Sequence, residues 1–201
     1  MTETTVEGAR QISVTAEEEQ DAGLIEEESV AGEAWEPDLH WLTTHVAVGG
    51  CFPIHRAEDL ARHHGIGAVV DLRAEDRDDE RALRAVGIEL LHLPTPDLEP
   101  ARYEHLETGV AFVRDHVQRG NKVLIHCQHG IGRSALLALC VLVDQGRDPL
   151  EALTHAKDIR SVVSPSRSQY EGWAEWLRSR GITAPDYHTF GCVAYRHLVN
   201  G

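Results

Sequence analysis

The chain has 201 residues, 42% of them hydrophobic, and a formal net charge of −14 from 19 Lys and Arg against 33 Asp and Glu. That length suits one domain with a proper core, and the charge excludes broad binding to nucleic acid or anionic lipid, both of which need a basic face. No run approaches the ~18 apolar residues of a membrane span, and the polar start MTETTVEGARQ lacks the apolar stretch of a secretory signal.

The acidity is uneven. Residues 1–38 hold twelve acids and one base, Arg10, so −11 of the charge lies there and −3 in the remainder. Residues 1–34 carry few large apolar side chains to offset their ordering entropy and are expected to be a disordered acidic arm. A solubilising tail is favoured over an interaction arm. Trp35 and Trp41 mark the start of packing, residues 35–181 are expected to form the domain, and 182–201 an extension packed on it through Tyr187, Phe190, Tyr195 and Leu198.

His45–Val48 reads as a short strand and residues 55–64 as a helix stopped by Gly65. Ala68–Leu72 is a buried strand, 76–86 a second helix ended by Gly87, and Ile88–Leu93 a third strand. A turn-rich loop, Pro94-Thr95-Pro96-Asp97-Leu98-Glu99-Pro100, follows. Tyr103, Leu106, Val110, Val113 and Val117 make one apolar stripe, which predicts a helix of about 19 residues ending by Gly120. Val123-Leu124-Ile125 is apolar on both faces and predicts a central strand. A nearly all-apolar helix over 134–145 comes next, then one started by Asp148-Pro149 and one over about 166–180. The alternation predicts an α/β fold, a central mostly parallel twisted sheet of four to five strands flanked by helices.

Cys51, Cys127, Cys140 and Cys192 are far apart, with neither a disulfide framework nor a zinc-type spacing. A reducing, cytoplasmic location is therefore expected. The thirteen histidines form no HxxxH or HExxH pair, so no metal and no cofactor are expected.

Between the central strand and the apolar helix lies His126-Cys127-Gln128-His129-Gly130-Ile131-Gly132-Arg133-Ser134. Strand, glycine-containing loop and helix N-terminus together make an anion cradle, with backbone N–H groups turned inward and the helix dipole behind them. The glycines permit tight curvature, Arg133 offers a planar fork for two phosphate oxygens, and such surroundings lower a thiol pKa from its usual ~8.5.

HCQHGIGRS resembles the H-C-x5-R-[ST] signature of the cysteine-based protein tyrosine phosphatase superfamily. VVDLR, ELLHLPTPD and VVSPSRSQYEGWAEWL fall where the dual-specificity phosphatases place their equivalents. The resemblance covers about residues 40–180 and implies metal-independent hydrolysis of phosphomonoesters through a phosphocysteine intermediate. Residue by residue, it implies that Cys127 attacks, Arg133 binds the phosphoryl group, and Ser134 donates to the sulfur and eases its release. His126 orients the loop, and Gln128, His129, Gly130, Ile131, Gly132 and Arg133 line the phosphate site. Asp97 is the expected general acid, with Glu99 the second choice. Gln169, in a segment resembling a pocket-lining one with Arg167, either positions water or, preferably, anchors the last helix. Cys51, Cys140 and Cys192 are read as buried small hydrophobes, although Cys51 could bridge to an oxidised Cys127 as in some relatives. Asp71 is expected to bond backbone. His129 stands where relatives often carry alanine or lysine, and is read as tolerated there.

The expected function is a dual-specificity protein phosphatase acting on phosphotyrosine and phosphoserine or phosphothreonine, because the chain is too short for the insertions that deepen the tyrosine-specific pocket. The alternatives are a phosphatase of phospholipid or of RNA or nucleotide 5′-phosphates, and a non-catalytic phosphoprotein-binding module. The expected partner is a phosphorylated protein or another phosphomonoester, with no stable nucleic-acid partner. Nothing in the sequence sets an oligomeric state.

Overall fold

A computed structural model describes residues 35–198; the expected disordered arm over 1–34 lies outside the described residues. Five strands form one sheet in the order β1-β2-β5-β3-β4. They are β1 (Leu39–Trp41), β2 (Val46–Gly49), β3 (Ile66–Arg73), β4 (Glu89–Thr95) and β5 (Lys122–His126). β1 is antiparallel to β2, and the other three pairings are parallel. Parallel neighbours need crossovers, which the helices supply.

The helices are α1 (Ala57–His64, entered through a 3-10 turn), α2 (Glu80–Ala85), α3 (Tyr103–Gln118), α4 (Arg133–Asp144), α5 (Pro149–Ile159), α6 (Arg167–Ser179) and α7 (Tyr187–Ala194). Alternate residues along the strands face opposite layers. Val46, Val48, Ala68, Val70, Leu72, Val123 and Ile125 join the main core with α3 to α7. Ala47, Val69 and Leu124 are equally buried outside that cluster, and α1 and α2 contact β3 and β4. α4 is buried from Arg133 through Val143, so it threads the middle of its layer instead of covering it. Among the described residues, no helix is long and apolar enough to cross a membrane.

Three local expectations change. The helix expected over 76–86 is only α2, because Asp79 caps it, accepting from the N–H groups of Arg81 and Ala82. Asp76 and Asp78 bond the guanidinium of Arg73 instead of joining the helix. The helix of about 19 residues is α3, sixteen residues long, and Tyr103 at its start is exposed. Cys192 is exposed, not core: α7 buries Phe190 and Ala194, four apart, which turns Cys192 outward. Cys140 is buried as expected, and burial pushes its thiol up.

α7 follows α6 and returns to the core. Phe190 is fully buried among Tyr170, Trp173 and Tyr195, with ring centroids 4.8–6.2 Å apart. The buried Lys157 amine donates to the Val163 carbonyl at 2.8 Å and meets His197 Nδ1 at 2.7 Å, and burial lowers its pKa to about 8.

Candidate active site

β5 lies between β2 and β3, so the loop leaving its end opens at the middle of the sheet. His126 closes the strand, Cys127 to Gly132 form the loop, and Arg133 begins α4. The Cys127 side chain sits at the base, in a residue 3% exposed. Burial pushes its thiol up. The Ser134 hydroxyl, 3.3 Å from Sγ, and the N–H groups of Ser134, His129 and Gly130 outweigh that and lower it. Amides from the middle of the loop and from the first turn of α4 thus converge on the sulfur.

Two glycines make this curvature possible. Gly130 has φ +66°, and a Cβ there would lie 2.5 Å from the Gly49 carbonyl carbon. At Gly132 a Cβ would lie 2.5 Å from Gln169 Oε1. The loop is held from behind by Arg160, which is buried. Its Nε donates to the Gly130 carbonyl at 2.9 Å and its Nη2 to the His129 carbonyl at 2.8 Å. Asp38 grips the other side of that guanidinium at 2.6 and 2.8 Å, and this bond holds the Asp38 carboxyl below its usual range.

His126 is fully buried. Its Nε2 lies 2.8 Å from Asp78 Oδ2 and its Nδ1 3.4 Å from the Cys127 carbonyl. Asp71 accepts from the backbone N–H groups of Arg73 and Asp78, as expected, and also binds the Arg73 guanidinium through both oxygens. Burial raises the Asp71 carboxyl, and Arg73 together with His126 more than offsets it. Asp71, Asp78 and His126 lie close enough together to hold a cation, but the Arg73 guanidinium already occupies both carboxylates at 2.6–3.0 Å.

Arg133 projects over the loop. Its Nη1 and Nη2 donate to the two oxygens of Glu75 at 2.7 and 2.8 Å, and Nη1 also donates to the Thr95 carbonyl at 3.1 Å. The arginine brings Glu75 down to about 2. Asp97 Oδ1 lies 3.2 Å from Arg133 Nε without completing a hydrogen bond, so that buried N–H has no partner. The end of the fork is occupied by Glu75, and its Nε edge faces Asp97. Glu75 is the residue the sequence reading missed. DLRAED gave no sign of it, because nothing local marks which of four neighbouring charges reaches a helix start 58 positions on.

Asp97 is brought to this place, its side chain 64% exposed. Glu99 instead borders a surface cleft with Arg102, Tyr103 and Glu171. Gln169 is buried, and its Oε1 accepts from the Ser166 N–H at 2.8 Å in a reciprocal cap of α6, while its Nε2 has no partner. Ile131 is 37% exposed and His129 lines an open groove with Asp38 and Arg160. Cys51 is half-buried and free, and its N–H donates to the Gln128 carbonyl at 3.2 Å.

Residues 50–178 match the family described as the dual specificity phosphatase catalytic domain. Dual specificity protein phosphatase 5 of Homo sapiens is 30% identical over 121 residues, 59% of this chain and 30% of that protein. A protein of Invertebrate iridescent virus 6 named as a tyrosine phosphatase (123R) is 35% identical over 81 residues, 38% of this chain and 57% of that one. The chain spans less than two thirds of the length of these curated relatives. The solved structure of Tk-PTP in its active form is 28% identical with a TM-score of 0.65, covering 71% of this chain and 97% of that one. That of PTPMT1 in complex with PI(5)P shares the fold, at 23% identity and a TM-score of 0.67, over 71% of this chain and 96% of that one. With the matched region spanning β3 to β5, the loop after β5 and most of α6, the chain belongs to the dual specificity phosphatase family of cysteine-based phosphatases.

Proposed function

We propose that this protein hydrolyses phosphomonoesters on phosphoproteins, at phosphotyrosine and at phosphoserine or phosphothreonine, with residues 35–181 as the catalytic domain and 182–201 as its extension. The observation that carries this reading is the convergence of the His129, Gly130 and Ser134 N–H groups on the Cys127 sulfur, beneath the unpartnered Nε–H of Arg133.

In the first step the Cys127 thiolate attacks phosphorus. A P–S bond forms as the P–O bond to the leaving group breaks, and Asp97 gives its proton to the departing oxygen. The loop amides from Gln128 to Arg133 and the free edge of Arg133 hold the three equatorial oxygens. In the second step water attacks the phosphocysteine, Asp97 takes the water's proton, and the P–S electrons return to sulfur, where the Ser134 hydroxyl stabilises the thiolate. Arg133 and the amides meet the phosphoryl charge, so these steps call for no metal ion. Gln169 serves here as the anchor of α6, and its unpartnered Nε2 is available to orient the attacking water. His126 keeps the loop in place through Asp78. A working thiolate needs reducing surroundings, which supports a cytoplasmic location.

The complex of PTPMT1 with PI(5)P makes a phospholipid the second reading. Glu75 and Asp97 place two carboxylates at the mouth of the pocket, which disfavours substrates with several phosphates. The deciding experiment is turnover of an aryl phosphate in EDTA, followed by a panel of phosphopeptides, phospholipids and nucleotide 5′-phosphates. EDTA-resistant turnover lost in Cys127→Ser supports the enzyme. Preference for a phosphoinositide over every phosphopeptide would replace the protein substrate.

A further inference from the structure

The turn that carries Asp97 is held in an unfavourable conformation. Pro96 to Glu99 form a tight turn, with the Glu99 N–H reaching the Pro96 carbonyl at 3.3 Å. Leu98, its third residue, has φ +63° and is the one non-glycine residue with positive φ among the described residues. Turns that need positive φ at this position normally use Gly or Asn, because a Cβ makes the left-handed conformation unfavourable for other residues. Leu98 is 65% exposed, so packing of its side chain does not repay that cost.

Two hydrogen bonds on backbone carbonyls bracket Asp97. On one side Arg133 Nη1 donates to the Thr95 carbonyl at 3.1 Å. On the other the Ser166 hydroxyl donates to the Leu98 carbonyl at 2.7 Å, across 68 positions of sequence. Ser166 is itself fixed, since it accepts from the Gln169 N–H at 3.2 Å and its own N–H is held by Gln169 Oε1. A serine hydroxyl has one proton and two lone pairs, so it serves both bonds at once.

We infer that Ser166 is a positioning residue for acid catalysis, holding the strained turn so that the Asp97 carboxyl stays beside the phosphoryl site. The inference rests on the proposed role of Asp97 and adds to it a residue that touches neither substrate nor sulfur. A proton donor matters most when the leaving group is poor. Misplacing Asp97 therefore slows the first step for phenyl phosphate and spares it for p-nitrophenyl phosphate, whereas general damage to the pocket slows it for both.

The test compares kcat/KM on the two esters, which reports only the steps through release of the leaving group, and inhibition by inorganic phosphate, in the full chain. Asp97→Ala is expected to lower kcat/KM on phenyl phosphate about 100-fold. Ser166→Ala is expected to lower it about tenfold, with kcat/KM on p-nitrophenyl phosphate and phosphate inhibition within about twofold of the parent. Ser166→Thr, which keeps the hydroxyl, should restore phenyl phosphate turnover. Ser166→Asp keeps a cap for α6 but cannot donate, so it should match Ser166→Ala even with its melting temperature preserved. Adding Ser166→Ala to Asp97→Ala should cost nothing more. Equal losses on both esters, or a full extra loss in the Asp97→Ala background, would overturn the positioning role. Asp97→Ala without effect on phenyl phosphate would overturn the acid assignment itself.

Discussion

The two loops that meet at the candidate active site are built in opposite ways. The loop from Cys127 to Gly132 rises from the central strand, runs into a buried helix, and has two of its carbonyls held by the buried Arg160. The turn from Pro96 to Glu99 follows an edge strand, exposes Asp97 and Leu98, and is tied down by single bonds at Thr95 and Leu98. A nucleophile needs fixed amides around one sulfur, and a core can supply those. An acid that donates in one step and accepts in the next needs contact with water, and a surface turn supplies that at lower local stability.

Cys127→Ser should lower turnover by at least about 10⁴-fold with phosphate binding retained, measured by aryl phosphate hydrolysis and by phosphate protection of the loop. Survival of turnover would place the chemistry elsewhere. Gly130→Ala should damage the loop through strain. It forces a side chain into positive φ against the Gly49 backbone, so we expect about 1–3 kcal/mol lost in denaturant unfolding together with most activity.

Arg160→Met should cost about 1–3 kcal/mol, because the His129 and Gly130 carbonyls lose their donors. A change at the acid turn such as Asp97→Ala, whose side chain is exposed, should leave unfolding nearly unaltered. If the two were to destabilise equally, the contrast between braced loop and surface turn would fail.

The pH dependence separates the loops again. The folded thiol of Cys127 is lowered, so its thiolate persists below the ordinary thiol range and protonates as pH falls through the folded value. Iodoacetate alkylation should therefore follow a half-point below ~8.5. Ser134→Ala removes a donor to the sulfur and should move that half-point upward; a downward move would contradict the assigned bond. Glu75, near 2 when folded, keeps its pair with Arg133 from above the unfolded carboxylate range down to about pH 2, so the pair should not titrate over the working range. Its contribution to stability is reduced by solvent, since Glu75 is 46% exposed. The smallest effect belongs to Asp148→Ala, about 1 kcal/mol from a lost helix cap with kcat unchanged.

Local chemistry made much of this legible. Apolar runs such as Val123-Leu124-Ile125 mark a strand buried on both faces, and Asp148-Pro149 marks a helix start, because each depends on its own neighbours. HCQHGIGRS keeps its cysteine, glycines and arginine within nine residues, so the candidate cradle could be read before any fold was known. The three-residue strand β1 escaped, since Leu39–Trp41 gains its partner only from β2. The early end of the expected second helix was hidden as well, because Asp76 and Asp78 leave it only for Arg73.

The sequence by itself therefore determined the alternating α/β architecture and the contents of the loop after β5, where periodicity and contiguous residues carry the information. Only the tertiary structure decided the surroundings of that loop: Glu75 on Arg133, Asp78 on His126, Arg160 behind the loop and Ser166 on the acid turn. These four bonds span 58, 48, 30 and 68 positions. At such separations the geometry is set by packing of whole helices on a sheet, and no local pattern of residues encodes it.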